Sequence, residues 1–158
     1  MPFNNDAKEA IKKEALKKII KNAGLKATAQ RVKILGLLQL EDNQHISAED
    51  LYKKLLEGQD DNVSGSVGVA TVYRVLNQFD EAGLLTRHHF EGGKSLFELA
   101  NQHHHDHLIC LKCGEVIEFT DDSIEKLQHK IAQQHGIKLS SHSLYLYGEP
   151  IDGVCNHK

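Results

Sequence analysis

The hydrophobic period of this chain first changes near residue 84, and no other feature constrains its fold as tightly. Before the change, VATVYRVLNQFDEA at residues 69–82 sets Val72, Val75, Leu76 and Phe79 at helical spacing and stops at Gly83. After it, LLTRHHF and SLFELA read as two strands joined at Gly92-Gly93, which predicts a β-hairpin.

Three helical segments precede this pair. Residues 7–22 place Ile11, Ala15, Leu16, Ile19 and Ile20 on one stripe, with Gly24 as a stop. Thr28 caps a second segment, where Val32, Ile34, Leu35, Leu37 and Leu38 are frequent enough to predict deep burial. Ser47 opens SAEDLYKKLLEG, with acids in the first turn, lysines near the end and Gly58 as a stop. The turn-rich loop DDNVSGSVG, residues 60–68, leads into the 69–82 helix. Compact helices closing on a hairpin describe a winged helix-turn-helix, with 69–82 as its recognition helix.

The second half reads as a small α+β unit. HLICL and EVIEF pair around a Cys-x-x-Cys-Gly turn, and DSIEKLQHKIAQQHG puts Ile124, Leu127 and Ile131 on one helical face. IKLSSHSLYLYG, residues 137–148, is strand-like. The expected architecture is therefore α+β: a winged helix-turn-helix domain over residues 1–100, then a small α/β domain over 101–158.

Charge divides the chain in the same place. The net charge is −3, yet residues 1–33 hold nine Lys/Arg against three Asp/Glu. Residues 101–158 hold five Lys against eight Asp/Glu, together with eight of the 11 histidines. A basic front and an acidic, histidine-rich back predict a polyanion partner and a cation partner. No apolar run approaches the roughly 20 residues that cross a bilayer, and the N-terminus carries no secretory signal pattern, so the expected location is the cytosol. In that reducing compartment, three cysteines suggest metal binding or redox chemistry before a disulfide framework, with Cys155 as a free thiol in one reading.

The stretch QHHHDHLICLKCGEVIEF, residues 102–119, concentrates the candidate ligands. Strand side chains alternate faces, so an extended 103–111 sends His103, His105 and His107 one way and His104 and Asp106 the other. One strand then serves two metal sites, with donors that suit zinc, ferrous iron or manganese. Cys110-x-x-Cys113-Gly114 has the form of a structural zinc knuckle, for which Cys155 and His157 are the C-terminal candidates. Solvated surface histidines are the bland reading, and their density beside two cysteines argues against it. A small zinc hydrolase is a second class, because His-x-His-x-Asp-His nearly fits at 102–107, but Gln102 occupies its first position.

ATVYRVLNQFDEAGLLTRHHFEGGKSLFEL, HHHDHLICLKCGEVIEF and HSLYLYG together resemble the ferric uptake regulator family of bacterial metal-responsive repressors, over most of residues 18–148. The resemblance implies a homodimeric repressor of iron-uptake genes, with a tetramer as the alternative assembly. Its C-terminal domain would dimerise, and bound Fe2+, replaceable by Mn2+ or Zn2+, would favour DNA binding. The regulatory site would be His45, Glu98, His105, His107 and Glu118, joining the two domains. His104 and Asp106 would be completed by Glu125 and His142, although Asp122-x-x-Glu125 also has capping-box form, with Asp122 or Ser123 as the cap. Cys110, Cys113 and Cys155 would begin a structural Zn2+ site. The partner is double-stranded operator DNA, an A·T-rich inverted repeat. Thr71, Tyr73 and Arg74 would face the major groove, Lys26 the minor groove, and Arg31 a phosphate or a nearby acid.

Zinc and peroxide sensors share this scaffold, but peroxide sensors generally place Asp where this chain has Glu118. Three features depart from the family pattern. Pro150 stands at the first position of the usual C-terminal cysteine pair, the loop before the recognition helix is long, and the N-terminal helix is extended.

Overall fold

The computed structural model describes residues 5–40, 45–57, 67–100 and 103–157. The chain separates into two compact units, residues 1–102 and 103–158, each with one three-stranded sheet. The fold is α+β, as the change of period predicts.

The first unit runs α1 (Asn5–Asn22), α2 (Ala29–Leu38), β1 (Ile46–Ser47), α3 (Ala48–Glu57), α4 (Val69–Glu81), β2 (Leu85–His89) and β3 (Ser95–Leu99). Its core gathers Val32, Ile34, Leu35, Leu51, Leu55, Val72, Leu76, Phe79 and Phe97. All four apolar positions expected on α4 are buried, and Thr28 caps α2 by accepting the Arg31 N–H at 3.4 Å. Ser47 caps α3 reciprocally: its Oγ accepts the Asp50 N–H at 3.1 Å and donates to Asp50 Oδ2 at 2.7 Å. The expected stop at Gly58, and all of the 60–68 loop except Val67 and Gly68, lie outside the described residues.

Two expectations change here. The α1 stripe is narrower than its spacing suggests, because only Leu16 and Ile20 are buried while Ile11 is 70% exposed. Leu16 and Ile20 form one i, i+4 ridge, and Leu16 lies so close to α2 that a Cβ on Gly36 would sit 3.3 Å from its Cδ1. The hairpin also gains a third strand. β1 pairs antiparallel with β3, setting Ile46 opposite Phe97, so the sheet order is β1-β3-β2. Two residues are too short for a periodic signal, and β1 is invisible without its partner.

The second unit runs β4 (Asp106–Cys110), β5 (Val116–Phe119), α5 (Asp122–Gln134) and β6 (Tyr145–Gly148). β4 is central, antiparallel to β5 through the Cys-x-x-Cys-Gly turn and parallel to β6 after the α5 crossover. Only 145–148 of the expected 137–148 strand is regular, because pairing starts where β6 meets His107. The cap of α5 is Asp121, whose Oδ1 accepts from Ser123 N at 2.8 Å and Ile124 N at 3.1 Å, in place of Asp122 or Ser123. None of the residues of α5 is buried: Leu127 is 55% and Ile131 48% exposed.

Candidate metal centres and nucleic-acid interface

β4 places one donor cluster on one of its faces. Asp106 is 1% exposed, and neither of its carboxylate oxygens has a hydrogen-bond partner among the described residues. Around it stand His104 from the segment before β4, Glu125 from the first turn of α5, and His142 from the approach to β6. His104 Nε2 lies 3.5 Å from Asp106 Oδ1 and 3.3 Å from Glu125 Oε1; His142 Nε2 lies 3.5 and 3.2 Å from the same two oxygens. A tetrahedral ion with bonds of about 2.0–2.2 Å to nitrogen and oxygen sets its ligand atoms about 3.4 Å apart. The four donors therefore match that spacing. A buried carboxylate without a hydrogen bond is costly, and a divalent cation offsets the cost. Because Asp121 caps the helix, the carboxylate of Glu125 remains directed at the two imidazoles.

The five residues expected in the regulatory set fall into two groups, one on each unit. On the first unit, the wing turns Phe97 into the core, and its reverse face carries Glu98. Glu98 Oε2 lies 3.3 Å from His45 Nε2, just before β1. Glu98 Oε1 lies 2.7 Å from Nε2 of His88, a residue not among the expected ligands. Register would have found it. Across the Gly92-Gly93 turn, His88 pairs with Leu96, one diagonal step from Glu98 on the same face.

On the second unit, His107 pairs across the sheet with Glu118, and His105 Nε2 lies 3.8 Å from Glu118 Oε1. The His105 and His107 rings are 4.9 Å apart, so strand alternation has sorted them away from His104 and Asp106. His105 Nδ1–H donates to the His103 carbonyl at 2.9 Å, leaving the lone pair on Nε2. His103 itself is exposed and, among the described residues, belongs to neither donor group.

The cysteines form a further cluster with His157. Gly114 takes a left-handed conformation (φ 75°) and returns its N–H to the Cys110 carbonyl at 2.8 Å, which closes the knuckle. The Cys110 thiol is lowered to about 7, first by the Cys113 backbone N–H and then by that of Lys112, against the effect of burial. Cys155 is pushed up to about 11, first by desolvation and then by its cysteine neighbours. Three thiols this close ionise together only if a cation joins them.

On the nucleic-acid side, α4 buries one face and presents Thr71, Tyr73 and Arg74 on the other, with Arg74 exposed. The Tyr73 hydroxyl donates to Glu49 Oε1 on α3. That bond holds the Glu49 carboxyl below its ordinary value and raises the Tyr73 hydroxyl. Lys26 is exposed at the α1–α2 turn. Arg31 pairs with no acid among the described residues; it donates to the Lys26 carbonyl at 2.7 Å and to Gln78 Oε1 at 2.8 Å, tying that turn to α4.

Comparison with known proteins follows this geometry. The Ferric uptake regulator family matches residues 22–147. The ferric uptake regulation protein of Escherichia coli (strain K12) is 63% identical over 136 residues, covering 86% of this chain and 88% of that protein. Among solved structures, the ferric uptake regulator of Vibrio cholerae, whose crystal structure reveals a rearrangement of its DNA-binding domains, superposes with a TM-score of 0.77. It is 61% identical, over 85% of this chain and 98% of that one. The regulator from Pseudomonas aeruginosa with manganese gives a TM-score of 0.71 at 49% identity, covering 85% and 96% of the two chains.

Proposed function

This chain belongs to the ferric uptake regulator family, and on that premise we propose that it represses iron-uptake genes when Fe2+ fills its donor sites. As a family member it is a metal-dependent transcription regulator that binds DNA and acts as a dimer. The observation that carries metal dependence is Asp106, a buried carboxylate without a hydrogen bond among the described residues, set among His104, Glu125 and His142 at metal-ligand spacing.

The regulatory set is His45, Glu98, His105, His107 and Glu118. Its support is that each unit holds part of the set together by itself: Glu98 beside His45 on one, His105 and His107 beside Glu118 on the other. An ion that needs donors from both units stabilises the arrangement in which it keeps them all, and thereby biases DNA binding. Coupling of this kind amounts to about 1–3 kcal/mol, or roughly 5–150-fold in affinity. Lys26, Thr71, Tyr73 and Arg74 contact an A·T-rich inverted repeat in the cytoplasm, with Arg31 using its remaining N–H groups on phosphate. Dimerisation uses the exposed Leu127 and Ile131 face of α5.

The test is a DNA-shift titration of metal-free protein with ferrous iron, manganese and zinc separately. Operator affinity should rise with each metal, and His105→Ala should reduce that rise while leaving the dimer folded. Equal operator affinity with and without metal would overturn the reading.

A further inference from the structure

We propose that His88 is a positioning residue for the regulatory ion: it holds Glu98 in place on the first unit and is not itself a ligand. This deepens the regulatory reading and rests on it. The two oxygens of Glu98 are used differently. Oε2 lies 3.3 Å from His45 Nε2, close to the about 3.4 Å that separates two ligand atoms of one tetrahedral ion. Oε1 lies 2.7 Å from His88 Nε2, shorter than that spacing and the length of a charge-assisted hydrogen bond. A carboxylate oxygen only accepts, so the proton is on His88 Nε2, and that atom has no lone pair to offer a metal.

The wing builds this arrangement from its register. β2 and β3 pair His88 with Leu96 and Thr86 with Glu98, so imidazole and carboxylate are diagonal neighbours on the face opposite Phe97. Phe90, two residues beyond His88, stacks on its ring with centroids 5.8 Å apart and planes 9° from parallel. The stack fixes the plane in which the imidazole meets Oε1. The side chains of His88 and Glu98 are each 8% exposed, so water competes little for the bond between them. With Oε1 held, Oε2 is directed at His45 before an ion arrives, and less ordering is left for binding to supply. Partners of this kind typically contribute about 10–100-fold to metal affinity.

Nitrogen-15 spectra of the histidine rings test the assignment in the unmutated full-length protein. His88 should show the Nε2–H tautomer in metal-free protein and keep it after loading with Zn2+. Loss of that proton on loading would make His88 a ligand and overturn the proposal. Substitution then measures the weight of the bond. His88→Leu should need about 10–100-fold more Mn2+ for half-maximal operator binding, yet reach the parent's affinity at saturating Mn2+. His88→Gln, which keeps an N–H at similar reach, should stay close to the parent. Mn2+ binding without DNA, followed by the electron paramagnetic resonance of the free ion, should show one site weakened in His88→Leu and none in His88→Gln. An unchanged Mn2+ requirement in His88→Leu would overturn the role, as would a loss in His88→Gln as large as in His88→Leu; both leave the regulatory reading standing. Operator binding by the parent that is indifferent to Mn2+ would overturn that reading, and this role with it.

Discussion

Asp106 concentrates the metal argument in one side chain. Its carboxylate is 1% exposed and accepts no hydrogen bond among the described residues, and burying a charge so poorly compensated opposes folding. Asp106→Asn removes that charge, so the metal-free variant should melt no lower than the metal-free parent. The metal should then help it less. A ligand at 1,000 times its dissociation constant adds about 4 kcal/mol, and the variant should lose the share belonging to this site. Thermal melts of both proteins, with and without Zn2+, measure the difference; equal metal-induced shifts would remove Asp106 from the ligand set. Tyr73 poses a different question at the same scale, since its hydroxyl is held by Glu49 and its ring rests partly on the core. Tyr73→Ala should lower affinity for a specific operator more than for random duplex in parallel binding titrations. Equal losses would mean that the ring supports α4 without reading bases.

Among the elements, α3 shows how a cap makes stability depend on pH. The Asp50 carboxyl is held below its ordinary value, first by the Ser47 hydroxyl and then by Lys53. A lowered folded-state value means that the stabilisation is complete above the ordinary carboxylate range and fades as pH falls through the lowered one. Ser47→Ala should cost about 1 kcal/mol at neutral pH, with a smaller loss in acid, read from denaturant melts across that range. Most elements were legible in the sequence because their signals are local: Thr28 and Ser47 as caps, the α4 stripe, the Gly92-Gly93 turn. Two of the features that escaped depend on partners further off in sequence: β1 exists only by pairing with β3, and His88 meets Glu98 only through hairpin register. The third is a local competition, in which Asp121 captured the helix start that Asp122 and Ser123 also offered. The grouping of candidate donors on β4 and just before it was legible because alternation sorts neighbours even where regular pairing begins only at Asp106.

For the whole molecule, α5 is the helix that buries none of its described residues within one chain. Leu127→Glu with Ile131→Glu should shift the protein from dimer to monomer in sedimentation experiments while its far-ultraviolet circular dichroism is kept, because neither side chain is buried in the unit. A persistent dimer would place the interface elsewhere. β4 and the few residues before it supply His104 and Asp106 on one side, His105 and His107 on the other, and Cys110 at the end. This sets unequal tolerance to inherited length changes. A codon gained in the loop before α4 lengthens a connection, whereas a codon gained between His105 and Cys110 exchanges the faces of everything beyond it. An insertion between His105 and Asp106 would separate His104 from Asp106 and His105 from His107 in a single event, and no second substitution nearby would restore both pairs. Variation in this chain is therefore expected to accumulate as substitutions around β4 and as insertions only outside it.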